Sequence, residues 1–341
     1  MKIVNNIQKM KVVIIGSGRM GIRHAQGIMN NDKVTEILVT DINSSSLENA
    51  KSILNNSKIS YCLNNDVVFK QYDACIIAST ANDRIGQLSF VSEFSAANIL
   101  IEKPLGQSLQ EVVELEEYIT TNNLPCSVNL NMRLYDSFNE LKNNLNKKPQ
   151  LIGKKIVTIN TGTLGIGANG IHYLDLLYYL LNADRAEIVA AKIEEQLVPS
   201  GRGPLFGDFG GWAVINFYTD DTEVGTALIS ISNFSTAFGS WEILAPNGRV
   251  WFNEVEQKCV YSLRKEDSQL PVSRYYGDYL PNIEEKFEAP FLGDLTNKWI
   301  NNILLTGKSN LPNISQSLSV HHLMFDWLSN SKTHSKTFPI T

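Results

Sequence analysis

KVVIIGSGRMG, residues 11–21, is the stretch from which the fold of this chain can be read. Residues 11–15 form a short, mostly β-branched apolar run that stops at Gly16, the appearance of a buried parallel strand before a tight turn. Gly16, Gly18 and Gly21 then fit G-x-G-x-x-G, with Arg19 and Met20 between them. Alone, that pattern recurs in ordinary turns; behind a strand and in front of a helix it has a physical purpose. The first glycine permits the turn, and the second lets backbone approach a pyrophosphate. The helix N-terminus offers free N–H groups and a positive dipole end. Ile22, Ala25 and Ile28 continue at helical spacing, and VTEILVTD at 34–41 reads as a second strand ending in Asp41, 20 residues past Gly21. A carboxylate there accepts hydrogen bonds from an adenosine ribose and repels a 2′-phosphate, so NAD is preferred over NADP. Arg19, able to meet a ribose phosphate, keeps NADP as the alternative. The ligand-free readings are a plain strand-to-helix turn for the glycines and a solvated strand end for Asp41.

Working outward, the pattern predicts a polar helix at 45–54, a strand at 72–80, a helix at 89–97, a strand at 98–104, a helix at 109–120 and a strand at 125–133. Strand and helix alternate, which implies an α/β, doubly wound parallel sheet. A polar stretch, NNLNKKPQ at 143–150, separates this half from an unlike one, and the boundary is placed at Asn129. Residues 1–128 are then a dinucleotide-binding domain. Residues 129–341 are a second, larger domain, its C-terminal helix free to pack back on the first. Strand candidates at 154–162, 187–197, 211–220, 222–234 and 240–253 alternate with period two around turn residues such as Asp220, Asp221, Asn247 and Gly248. They predict a large, mainly antiparallel open sheet, with helices chiefly at 170–181 and 291–305.

The 341 residues suit two domains, and 43% hydrophobic against 19% charged residues is globular composition. A net charge of −5 excludes a broad basic face for nucleic acid and gives no attraction to an anionic membrane. Cys62, Cys75, Cys126 and Cys259 are scattered, with no C-x-x-C and no histidine at ligand spacing, so no metal is expected and the thiols read as reduced. The run before Gly16 is too short and too closely flanked by Lys9 and Lys11 for a signal peptide, and a cytoplasmic location is expected.

GSGRMGIRHA at 16–25, IEKPLG at 101–106 and GIHYLDLLYYL at 170–180, in that order, resemble the Gfo/Idh/MocA oxidoreductases, and LPNISQSLSVHHLMFDWLSNS at 311–331 resembles that family's closing helix. The resemblance implies an N-terminal Rossmann domain and a C-terminal α/β domain whose open sheet carries the substrate site and an oligomer interface, giving a homo-dimer or homo-tetramer. It also implies hydride transfer on sugars, sugar derivatives or polyols. Lys103 matches the family's substrate-facing lysine and His172 its acid/base histidine; Arg133 falls at a site-lining arginine. Thr80, Asn82, Glu102 and Lys103 fall at cofactor-facing positions.

Chemistry supports the same residues. Removing a hydride from a carbinol requires its hydroxyl proton to leave too, and a base at the C-terminal edge of a parallel strand sits where open α/β sheets place ligands. Asp175, three residues after His172, shares its helix face and can orient the imidazole. The bland readings are a solvated strand-end lysine, a core histidine and a surface arginine. Two departures matter. Many relatives carry an aspartate where this chain has Ala168, which leaves Asn169 to bind substrate and the proton work to Lys103 and His172. STANDR at 79–84 lacks the usual Thr-Pro and histidine. Trp212 and Trp241 could stack on a sugar, but packing is the commoner use. His321 and His322 point apart on a helix. A family enzyme that retains NAD while cleaving a glycoside, and a non-catalytic dinucleotide or sugar sensor, are the alternatives.

Overall fold

The computed structural model describes residues 9–162, 164–199, 206–271, 278–330 and 338–340; the readings of residues 1–8 and residue 331 lie outside them. The chain divides into two units, Met1–Leu134 with Pro290–Leu318, and Tyr135–Ala289 with Ser319–Thr341. Where the sequence placed one boundary at Asn129, the first unit runs to Leu134 and takes in a later segment.

The first unit begins β1 (Met10–Ile15), α1 (Arg19–Ile28), β2 (Val34–Asp41), α2 (Ser44–Ile53), β3 (Ile59–Leu63), β4 (Ala74–Ile77), α3 (Arg84–Ser92), β5 (Asn98–Ile101), α4 (Leu109–Thr121) and β6 (Cys126–Val128). The six strands are all parallel, in the order β3-β2-β1-β4-β5-β6. Val12, Val13 and Ile14 have no exposed surface. Each contributes about 1.5–3 kcal/mol of burial free energy, which is why β1 reads as an uninterrupted apolar run. Strand order reverses between β1 and β4, so the loops after these strands diverge and leave a crevice at their C-terminal ends. The strand expected over 72–80 is only Ala74–Ile77, and the helix expected from 89 starts at Arg84, where the Asp83 side chain caps it by accepting the Gly86 N–H. β3 was not anticipated.

The second unit continues with α5 (Asp136–Lys147), β7 (Lys155–Gly162), α6 (Ile171–Leu181), β8 (Arg185–Ile193), β9 (Val198–Pro199), β10 (Gly207–Asp208), β11 (Gly211–Thr219), β12 (Thr222–Ser232), β13 (Ser240–Ala245), β14 (Gly248–Asn253), β15 (Lys258–Leu263) and β16 (Ile283–Lys286). Eight of these strands form a sheet ordered β16-β15-β14-β13-β7-β12-β11-β8, in which only β7 and β12 pair in parallel. Its inner face carries Val157, Ile159, Ile229, Trp241 and Phe252, all buried; its outer face shows Ile156, Trp212, Leu228 and Leu244, all exposed. The polar stretch at 143–150 is not a linker. Its first part ends α5, which buries Phe138, Leu141 and Leu145 as one stripe.

Two helices follow, α7 (Leu292–Thr306) and α8 (Ile314–Leu328). Helix α7 belongs to the first unit and packs on α1; a Cβ on Gly27 would lie 2.0 Å from the Gly293 carbonyl oxygen, so the two backbones meet where neither residue has a side chain. No described helix is long and apolar enough to cross a membrane.

Candidate active site

In the first unit, the crevice between the β1 and β4 loops is a cavity of about 740 Å³ whose wall includes Gly16, Gly18, Asp41, Ser79, Thr80 and Asn82. Each glycine is there for a different reason. Gly16 has φ +98°, and a Cβ on it would lie 2.7 Å from the Ser79 nitrogen. A Cβ on Gly21 would overlap the Gly16 carbonyl oxygen at 1.8 Å, so this residue seats the helix on the strand. A Cβ on Gly18 meets nothing within 4 Å. Among the described residues no atom explains that glycine, and it lines the cavity.

The N-terminus of α1 points the same way. Helices α2, α3 and α4 are capped by the side chains of Asn43, Asp83 and Ser108, but α1 starts at Gly18 with no side-chain cap. Its first N–H groups are left for a ligand, and the dipole there favours an anion. Asp41 closes one side. Its Oδ2 accepts the Ser17 N–H at 2.7 Å and hydroxyl at 2.8 Å, and its Oδ1 accepts the Asn43 N–H at 2.9 Å. The remaining lone pairs can accept ribose hydroxyls, while the fixed negative charge opposes a phosphate. These features fit a dinucleotide, the pyrophosphate over Gly18 and the adenosine ribose at Asp41.

Arg19, Met20, Gly21, Glu102 and Lys103 do not line this cavity. Exposed Arg19 lines a separate groove with Arg23, Asn49 and Phe291. Glu102 and Lys103 follow β5, buried to 1% and 5% exposure, with a cis bond between Lys103 and Pro104. Arg84 ties this loop to the cavity wall, donating to the Ser79 carbonyl at 3.1 Å and the Glu102 carbonyl at 2.9 Å. Glu102 Oε1 sits 2.9 Å from His24 Nε2 and accepts the Asn129 side-chain N–H at 2.6 Å, while His24 Nδ1 lies 2.8 Å from Thr296 Oγ1. Burial pushes the Glu102 carboxyl up, but the hydrogen bond and charge of His24, the Lys103 charge and the Asn129 amide outweigh it and bring it down to about 2. Arg133 is half-buried in a short turn, Asn131–Leu134, of this unit.

Residues 10–130 match the family model described as an oxidoreductase family, NAD-binding Rossmann fold. These residues belong to the Gfo/Idh/MocA family. NAD is therefore the dinucleotide of its Rossmann domain, as the glycine loop and Asp41 require. No curated protein matches the chain by sequence. Three solved structures share the fold across both units. An Agrobacterium radiobacter oxidoreductase, solved with NAD+, L-tartaric acid and magnesium, is 13% identical, with a TM-score of 0.69 over 94% of this chain and 96% of its own. A UDP-N-acetylglucosamine 3-dehydrogenase from Acidithiobacillus ferrooxidans is 14% identical, at 0.68 over 96% and 99%. A putative myo-inositol dehydrogenase from Sinorhizobium meliloti is 15% identical, at 0.65 over 97% and 100%.

In the second unit, the other residues singled out by the Gfo/Idh/MocA resemblance sit where α6 begins. Residues Ile166–Gly170 form a single π-turn that runs into the helix, with Asn169 in the turn and His172, 7% exposed, in the helix's first turn. Asp208 holds this turn. Its carboxylate accepts the backbone N–H of Gly167 at 3.0 Å, Ala168 at 2.6 Å and Phe209 at 2.8 Å. A carboxylate thus reaches the Ala168 backbone from β10, although residue 168 has none. Asp175 is fully buried. Trp241 stacks on Phe252 in the core and donates to Glu254, whose carboxyl burial pushes up; Trp212 lies on the open sheet face. His24, Asn129, Arg84 and Asp208 were not anticipated, because each acts through partners distant in sequence.

Proposed function

We propose that this chain is an NAD-dependent dehydrogenase or reductase acting on a CH–OH carbon of a sugar, sugar derivative or polyol. Buried Lys103, tied by Arg84 to the wall of the dinucleotide cavity, carries the reading. Bound NAD supplies the acceptor for a hydride. Lys103 takes the hydroxyl proton as the carbinol becomes a carbonyl and returns it in the reverse direction; His172 is the second acid/base group, and Arg133 and Asn169 are the substrate-binding ones. Glu102 fixes the lysine's charge environment. The inositol and amino-sugar names of the similar structures favour the same substrate class. The protein acts in the cytoplasm as a homo-dimer or homo-tetramer joined through the open sheet face, where Ile156 and Leu244 are direct cross-strand neighbours.

The test is absorbance at 340 nm with inositols, sugars, amino sugars and nucleotide sugars, in wild type and Lys103→Met. Wild type should reduce NAD with at least one of them. The variant should keep its NADH fluorescence titration and lose about a hundredfold or more in turnover. Undiminished turnover would remove Lys103 from the chemistry. Ala168 favours a second reading, a dinucleotide or sugar sensor without turnover, selected by NADH binding with no redox change across the panel.

A further inference from the structure

A buried polar chain crosses the first unit next to Lys103, and Arg84 is the member that reaches the cavity wall, at Ser79. His24 on α1 has no exposed surface; its Nδ1 meets Thr296 Oγ1 on α7, and its Nε2 meets Glu102 Oε1 after β5. An ionised carboxylate only accepts, so Nε2 carries the proton and donates. Asn129, after β6, donates to the same oxygen, and Glu102 Oε2 is buried with no hydrogen-bond partner among the described residues. Arg84 on α3 holds the Glu102 carbonyl and reaches the Pro104 carbonyl at 3.4 Å. The side chains that act on the carboxylate are therefore His24, Lys103 and Asn129, while Arg84 grips the backbone carbonyls of the same loop. Lys103 is the one the proposed reaction uses. A buried carboxylate one residue away favours the ammonium form, and it stays ionised only while its donors stay in place.

We propose that His24 is a positioning residue for Lys103: by donating to Glu102 Oε1 it keeps that carboxylate ionised and fixed, and so sets how readily Lys103 releases its proton. The inference rests on the reading of Lys103 as the proton-transfer group, but its test reads the lysine itself and needs no substrate. Lysine labelled at the ε-carbon gives one NMR signal per side chain, and Lys103→Arg assigns the one wanted. Its titration midpoint is followed in wild type, Glu102→Gln, His24→Leu, His24→Gln and the His24→Leu/Glu102→Gln double variant.

Glu102→Gln, nearly isosteric, should lower the midpoint by a unit or more, a tenfold easier proton release. His24→Leu should lower it in the same direction. The double variant should go no further than Glu102→Gln alone, because both changes act through one carboxylate. His24→Gln, which retains an N–H donor at the Nε2 position, should stay close to wild type. A midpoint unmoved in Glu102→Gln, or unmoved or raised in His24→Leu, overturns the proposal. If His24→Leu does not fold, the Glu102→Gln and His24→Gln pair decides, and a His24→Gln midpoint displaced as far as that of Glu102→Gln also overturns it. Loss of the underlying reading looks different: Lys103→Met would turn over normally while these midpoints shifted as expected.

Discussion

Gly18→Ala separates what the fold needs from what the ligand needs. Gly18 has φ −69° and ψ −171°, an extended conformation open to alanine, and the new Cβ meets no protein atom within 4 Å. Replacing glycine where the backbone is compatible stabilises by about 0.4–1 kcal/mol through the unfolded chain, so Tm should hold or rise by a few degrees. The same methyl enters the space a pyrophosphate must occupy to reach the α1 N–H groups. Displacing one charge-assisted hydrogen bond costs roughly 1.5–3 kcal/mol, a loss of about 10- to 150-fold in affinity. The assay is a pair of measurements on one preparation, thermal unfolding and NADH fluorescence titration. Gly21→Ala is the contrast: its Cβ would overlap the Gly16 oxygen, so stability should fall together with binding. Wild-type NADH affinity in Gly18→Ala would refute the placement of the pyrophosphate.

Asp41→Ser removes the charge that opposes a ribose phosphate, so the ratio of NADPH to NADH dissociation constants should fall by tenfold or more in parallel titrations. Glu102 is held far below its usual carboxyl range, so its stabilisation is complete above about pH 4.5 and disappears as pH falls toward 2. Roughly 3 kcal/mol is at stake, and the stability gap between wild type and Glu102→Gln in denaturant titrations should close over that window. Asp208→Ala removes the acceptor of three backbone N–H groups, two in the turn before α6 and one at Phe209, and should destabilise by about 2–4 kcal/mol, read by urea unfolding.

What the sequence shows plainly is whatever burial or local geometry writes into consecutive residues. β1, β2 and β5 are apolar because both faces of their sheet are covered, and the glycine loop and Asp41 lie within one βαβ unit. Strand β3 was hidden because none of its five residues is fully buried, leaving ISYCL without a pattern. Helix α5 was hidden by asparagines and lysines around its three apolar anchors, although Phe138, Leu141 and Leu145 keep helical spacing. His24 lies inside the very segment that announces the cofactor loop, yet its partners are 78 and 272 residues away. No window on the sequence joins them. Asp208 is likewise 40 residues from the Ala168 N–H it accepts.

The seam between Gly27 and Gly293 also imposes an order in time. During synthesis α1 emerges early, but the helix that covers it follows the whole of Tyr135–Ala289. At about 5–20 residues per second that is a wait on the order of ten seconds or more, with Gly27 and the Thr296 side of His24 facing water. A nascent chain halted after Leu134 should therefore exchange its α1 amide hydrogens faster than the finished protein; equal protection would show that α1 needs no such partner.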